Sequence, residues 1–421
     1  MSFGMTVRMS GEEPAPQAPP PYKPLRFEED YRYLRDRALR TDFWDPIKYI
    51  LLKGDGGHFL SLGGEARERY EFFKHFAWGA GPEDRDGHLL QRHLLHADLH
   101  LGEQLRLFGQ LQSSLEHGRK GGPRPTDEDQ LDVHQAFAEL KPRFGEAAAR
   151  MLRVGRQEMS FGSSRLVGVR EGPNVRLSFD GARVSLSAAA WKVDAFLTKP
   201  TEVDPGIFDD GLEDDRHFWG FYAVHGLPFL PGTGVDLYYL GLEQPDAEFD
   251  QGTADEERHS AGMRIWGRPG GWDFNFEAVF QWGRFGPGDI QAWTVASDTG
   301  YTFTSAPLSP RIGLRADMTS GDRDPNDPDL ETFNPLFPRG SYFGEIGLIG
   351  PVNHIDLHPS IEVRLLEGVS SWIDWAFFWR ADEHDGIYGN GVNVLRSGRG
   401  SREAFIGSQA SANVEWRIDR H

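Results

Sequence analysis

From residue 59 onward the chain alternates apolar and polar side chains, position by position, in one short segment after another, and this period of two points to strands. In WDFNFEAVFQW, Trp272, Phe274, Phe276, Ala278, Phe280 and Trp282 share one face while Asp273, Asn275, Glu277 and Gln281 share the other. LSLGGEARERYEF sets Leu60, Leu62, Gly64, Ala66, Tyr70 and Phe72 against Ser61, Glu65, Arg67, Arg69 and Glu71, with Glu68 as the one break. Leu89, Leu95, Ala97, Leu99 and Leu101 likewise oppose Arg92, His96, Asp98 and His100, and Leu105, Leu107, Gly109, Leu111 and Leu115 oppose Arg106, Gln110, Gln112 and Glu116. About 17 such segments lie near residues 59–73, 89–101, 105–116, 131–140, 150–159, 173–180, 183–197, 218–228, 234–243, 257–267, 272–283, 290–297, 311–319, 342–349, 357–366, 371–380 and 403–417. Clusters of Gly, Pro, Asp and Asn separate them, as expected of a chain with 50 Gly and 27 Pro.

No stretch approaches the ~20 apolar residues of a membrane helix, whereas each segment fits the ~9 to 11 residues of a tilted membrane strand. A soluble β-rich protein would need several sandwiches from this many strands, and no linker divides them. A closed barrel makes all the strands equivalent and pairs every backbone group without an edge. The expected fold is therefore all-β, a transmembrane β-barrel of about 18 antiparallel strands over residues 58–421, with a Pro-rich segment and lead-in over 1–57. In the lead-in, residues 11–24 read as extended and FEEDYRYLRDRALR, 27–40, as a short polar helix. Met1 to Pro20 lacks the apolar run of a signal peptide, so either the protein is cytosolic or its targeting segment has been removed.

The absence of cysteine excludes disulfides and thiolate chemistry, and a net charge of -19 argues against general nucleic-acid binding. In a barrel of this size the polar face lines a channel. That face carries Arg67, Arg69, Arg92, Arg106, Arg176, Arg183, Arg264, Arg315 and Arg364, interspersed with Glu65, Glu71, Asp98, Glu277, Asp317 and Glu362. Guanidinium forks bind carboxylates in bidentate geometry, so a ladder of them could pass an anionic polymer from site to site. Each arginine taken singly could equally pair with a lumen carboxylate and hold the wall together. His96, Asp98 and His100 share one strand face at a spacing that could seat a metal, yet no HExxH, GxSxG, Walker or dinucleotide motif accompanies them, and no enzyme is expected. In GDRDPNDPDLETF, Asp322, Asp324, Asn326 and Asp329 have spacings like those of a calcium loop, but its sixth position is Asp327 rather than Gly and its twelfth is Phe333 rather than Glu. No cofactor is expected, apart from Ca2+ that this loop could bind.

Several mixed polar and aromatic strings give the chain a family resemblance: RTDFWDPIKYI at 40–50, GRQEMSFGSSRL at 155–166, REGPNVRLSFDG at 170–181, SGDRDPNDPDLETFNPLFPRGSYFG at 320–344, IEVR at 361–364, DWAFFWRADEHDGIYG at 374–389 and DRH at 419–421. In these the chain resembles the alginate export family. The resemblance implies an 18-stranded, monomeric barrel in the Gram-negative outer membrane, with an arginine-rich pore that exports the polyuronate alginate. It also implies roles for Arg156, Glu158, Arg165, Arg170, Glu171, Asn174 and Arg176, and for Asp322, Asp324, Phe333, Phe337 and Pro338, some at the pore and some in loops folded inward.

Seventeen strands is an odd number, and bacterial single-chain barrels are even, so at least one C-terminal strand is expected to be missing unless a loop such as 161–170 supplies a pairing. The expected function is an anion-selective outer-membrane channel for an anionic polysaccharide, delivered by periplasmic secretion components. Arg67, Arg69, Arg92, Arg106, Arg156, Arg176, Arg264, Arg315 and Arg364 are the pore-lining candidates. The alternative on the same fold is a less selective porin for small anionic solutes. A soluble β-sandwich that binds acidic glycans is a third reading, separable by solubility without detergent.

Overall fold

The computed structural model describes residues 19–54, 56–142 and 149–420. The long strands are β1 (His58–Glu71), β2 (His88–Leu101), β3 (Leu105–His117), β4 (Asp129–Leu140), β5 (Ala149–Gln157), β6 (Phe179–Ala188), β7 (Trp191–Glu202), β8 (His217–Gly226), β9 (Thr233–Phe249), β10 (Gly252–Gly267), β11 (Trp272–Phe285), β12 (Gly288–Thr302), β13 (Arg311–Thr319), β14 (Ile355–Leu366), β15 (Val369–Trp379) and β16 (Phe405–Trp416). With the two-residue strands Ile50–Leu51 and Gly211–Leu212 they form one 18-stranded sheet. Each long strand pairs antiparallel with its successor, from β1 to β16.

The long strands are thus even in number, which corrects the odd count from the sequence. Segment 183–197 is two strands, β6 and β7, joined by a tight turn, while 173–178 and 342–349 are not strands. Residues 174–178 are buried on every side, with the Asn174 amide donating to the carbonyls of Gln91, Leu115 and Asp127. Their alternation therefore does not record a wall with one wet face. The stretch 161–170 is also a loop, bridged at Val167 to Phe337 of loop 320–354 rather than to a wall strand.

Outward side chains on β11 show why the alternation exists. Phe276, Phe280 and Trp282 stand exposed while Glu277, Val279 and Gln281 are buried, and Phe280 lies opposite Trp293 across the β11–β12 register. Trp272 meets Tyr301 at 5.0 Å between ring centroids, near one rim. A lipid-facing belt flanked by rings is the arrangement expected of a membrane barrel. Connections at one end are short (102–104, 189–190, 268–271, 367–368), and those at the other include 158–178, 320–354 and 380–404. β1 begins and β16 ends on the short-turn side. Among the described residues no register joins β1 to β16, but Arg420 beyond β16 reaches the Pro20 carbonyl at 3.5 Å and Asp42 at 3.7 Å.

The interior is packed rather than open, a further departure from the sequence reading. Met159, Phe161, Leu166 and Val167 from one long loop and Leu330, Phe333 and Phe337 from another build an apolar core against inward Phe196, Phe218, Tyr222 and Tyr238. At the short-turn end the lead-in enters the barrel: Phe27 packs edge-on to Phe108 and Phe137, while Tyr31 and Leu34 pack with Tyr49 and Phe59. This lead-in is not the expected helix over 27–40 but three 3-10 turns, Arg26–Glu28, Arg32–Arg35 and Arg37–Leu39, followed by one helical turn, Asp45–Lys48. Asp30 and Asp36 accept from the amides of Arg32 and Ala38, local bonds that compete with a helix. The Pro-rich residues before 19 lie outside the described residues.

Candidate functional site: an arginine-braced lumen

The wall arginines start from an unfavourable register. Arg67 and Arg92 are directly opposite on β1 and β2, and like charges so placed repel. Loop 158–178 resolves the conflict by turning its backbone toward them. Arg67 donates to the carbonyls of Glu171 at 2.7 Å and Pro173 at 2.9 Å, and Arg69 to that of Gly172 at 2.9 Å. Arg92, fully buried, bonds Glu65 at 2.7 Å and also the Glu171 carboxylate. Arg176, which lies in this loop rather than on a strand, pairs with Glu158 at 2.7 Å and Glu171 at 2.9 Å. Three wall cations and one carboxylate thus form a latch that holds the loop across the lumen.

A second cluster centres on Tyr342 in loop 320–354. Arg165 from the first loop bonds Glu277 of β11 at 2.9 Å, Asp317 of β13 at 2.7 Å and the Tyr342 hydroxyl. Arg315 stacks 4.8 Å above the Tyr342 ring and lies 3.5 Å from Asp317. Arg339 stands 5.4 Å from the same ring, exposed to the solvent between the loops. Among the described residues no carboxylate lies in ion-pair range of Arg339 or of half-buried Arg170. The neighbouring charge of Arg315 adds to the imbalance at Arg339, a cation short of counter-charge.

The remaining candidates divide by partner. Arg106 is buried in a fork with Asp98 at 2.7 Å and reaches Glu139 at 3.2 Å. Arg264 pairs with Asp236 at 2.7 Å, and Arg156 with Asp180 at 3.1 Å. Arg364 is exposed near the short-turn end of β14 with no ion pair among the described residues. Of the three residues with metal spacing, His96 stacks on Phe108, His100 stacks on Phe59 at 4.2 Å, and Asp98 is taken by Arg106. In the acidic loop, Asp324 accepts from the Asn326 amide, Asp327 from the Asp329 amide and Asp329 from the Asp289 amide. These carboxylates serve turns rather than converge. Alternation missed Arg339 because it sits in PLFPRGSYF, a loop with no period; its place in a string that carried the family resemblance was the one available signal.

Cavities open at both ends of the braced region. One of about 690 Å³ at the long-loop end is lined by Arg69, Arg119, Arg124 and Arg170, with Glu71, Asp127 and Glu345 as the acids. One of about 410 Å³ at the short-turn end is lined by Arg32, Arg35, Arg106 and Lys141 together with His100 and Glu103.

A membrane barrel with an aromatic outer face, a lumen braced by arginine–carboxylate pairs and inward-folded loops defines an outer-membrane channel of the porin type. Among solved structures, the chain is similar to the BenF-like porin of Pseudomonas fluorescens Pf-5, with a TM-score of 0.52 at 9% identity over 76% of this chain and 82% of that one. It is also similar to Pseudomonas aeruginosa OpdK with vanillate, with a TM-score of 0.51 at 12% identity over 76% and 81%. At such identities the likeness is one of fold. The family model for alginate export matches residues 58–421, and the chain belongs to that family. No curated protein matches the sequence. The protein is a channel of the Gram-negative outer membrane.

Proposed function

We propose that this barrel passes an acidic polysaccharide, alginate or another polyuronate, from the short-turn side to the long-loop side of the outer membrane, as a single chain supplied by periplasmic secretion components. The observation that carries the reading is the distribution of unmatched cation: among the described residues Arg170, which lines the long-loop cavity, and Arg339, in the loop beside it, have no carboxylate in ion-pair range. A uronate carboxylate meeting either guanidinium gains a bidentate bond, and a second site lets the polymer exchange one bond for the next. The paired arginines hold the walls and loops that position these two. Because both loops are packed across the lumen, passage of a polymer requires them to yield.

A second reading rests on the cavities themselves. Volumes of about 410 and 690 Å³, separated by packed loops, fall in the range of small-ligand sites and suit uptake of small carboxylates. Conductance of the purified protein in a planar bilayer separates the two. Anion-selective channels blocked far more strongly by uronate oligomers than by monomers establish the polysaccharide conduit; equal block by both favours the small-anion porin. Cation selectivity refutes both.

A further inference from the structure

At the long-loop rim, the connection from β1 to β2 contains one strained turn, Phe76–Gly79. His75, Ala77 and Trp78 take φ of 51°, 52° and 57°, a left-handed conformation that non-glycine residues resist. The turn holds a ring outward, with Trp78 47% exposed. Arg396, from the loop between β15 and β16, steadies it: the guanidinium lies 5.2 Å over the Trp78 ring and donates to the Ala77 carbonyl at 3.1 Å. Phe76 repeats the pairing of ring and cation. It lines the long-loop cavity together with Phe73, edge-on at 5.1 Å, and the Arg124 guanidinium lies 4.5 Å over its ring.

The acids around this cavity are already taken. Arg69 pairs with Glu345 at 2.9 Å and Arg119 with Asp127 at 2.7 Å, and Asp127 also accepts from the Arg124 amide at 2.9 Å. Among the described residues the guanidiniums of Arg124 and Arg396 have no carboxylate in ion-pair range; Arg396 donates only to carbonyls. Two cations thus lie against rings and lack an acid, and that combination suits one class of ligand. A pyranose has an apolar C–H face that stacks on an aromatic ring, and a sugar acid carries beside it a carboxylate that a guanidinium binds in bidentate geometry. A small carboxylate without such a face gains only the second contact. The cavity, of about 690 Å³, falls in the range of ligand sites.

We propose that Phe76 and Trp78, with Arg124 and Arg396, form a sugar-acid subsite at the outer mouth of the channel, where the rings carry C–H faces and the guanidiniums carboxylates. The subsite rests on the polysaccharide reading and adds that the polymer is recognised there by sugar ring as well as by charge. Block of single channels in a planar bilayer by uronate oligomers added from the long-loop side tests it. Trp78→Ala is expected to raise the half-blocking concentration about tenfold, and Arg396→Gln by a similar factor. Trp78→Phe, which keeps a ring, should stay within about threefold of the parent, and block by citrate, which has carboxylates and no sugar face, should be unchanged in Trp78→Ala. Heat-modified gel mobility checks that each barrel is intact, and if Trp78→Ala does not fold, Arg396→Gln decides by the same measure. An unchanged half-blocking concentration in the deciding variant, an equal shift for citrate in Trp78→Ala, or a phenylalanine variant as weak as the alanine one overturns the subsite and leaves the polysaccharide reading in place. Absence of block in the parent from either side overturns that reading and the subsite with it.

Discussion

Arg92→Ala tests whether the loop across the lumen is latched by the wall. Arg92 bonds Glu65, the Glu171 carboxylate and the Glu171 and Pro173 carbonyls, and is fully buried. Removing one partner of a buried ion pair costs ~3 to 5 kcal/mol when the other is stranded. Here the cost is smaller, because Glu171 is 52% exposed and keeps Arg67 and Arg176, and Glu65 keeps Arg26. About 2 kcal/mol is expected, most of it from the closed loop, and that raises the population of released loop about 30-fold. The assay is single-channel recording in a planar bilayer, paired with protease cleavage within 158–178. Openings of larger conductance should become roughly 30-fold more frequent, with cleavage accelerated in step. Arg92→Lys should fall near the alanine variant, since an ammonium cannot span a carboxylate and two carbonyls as the guanidinium fork does. If neither conductance nor cleavage moves by more than twofold, the latch is not what holds the loop.

Arg165→Ala leaves Glu277 with only the Tyr238 and Ser163 hydroxyls while Asp317 keeps Arg315, and should cost about 3 kcal/mol, the low end for a broken buried pair, read as a lowered urea midpoint in detergent. Phe280→Arg on the outer face, near the middle of β11, should cost about 2 to 4 kcal/mol in lipid and much less in detergent with a thick polar shell. Charge reversal at Arg170 and Arg339 together should abolish the preference for anions in a salt gradient, whereas reversal at Arg156, paired with Asp180, should leave it largely unchanged. Burial and the neighbouring Asp385 push the Asp322 carboxyl up to about 7, and burial raises Asp385 as well. The folded protein then holds a proton that the unfolded chain has lost above pH ~4, so the contact between loops 320–354 and 380–404 should weaken as pH rises from about 4 to 7, and Asp322→Asn should flatten that slope.

The strands were legible because each meets lipid on one side and polar contents on the other, an environment that writes itself into a sequence at period two; β11 is read almost residue for residue. The same rule failed at 173–180, where protein surrounds the segment on all sides and alternation has no physical cause. It failed again between β6 and β7, where the turn is too short to interrupt the pattern. Lumen-facing parity placed Arg67, Arg92, Arg106, Arg264 and Arg315 on the inner wall beside the wall carboxylates Glu65, Asp98, Asp236 and Asp317, but the contacts of Arg67 and Arg92 with Glu171 depend on a loop far along the chain. Arg165 and Arg170 were reached through family resemblance, and Arg339 through neither route, because loop residues answer to contacts rather than to a period.

The threading of the lead-in through the short-turn end bears on how the molecule assembles. Pro20 and Tyr33 touch Arg420, so the first described residues and nearly the last are neighbours across almost the whole chain. Contacts this distant in sequence are the slowest to form, because closing so long a loop is entropically expensive. Phe27, Tyr31 and Leu34 have their partners on Phe108, Phe137, Tyr49 and Phe59, so that part of the lead-in can dock before β16 pairs, and only its contact with Arg420 must wait. The contact of Arg420 with Pro20 and Tyr33 is then among the last to form, and loss of the Arg420 side chain should be felt at the lead-in.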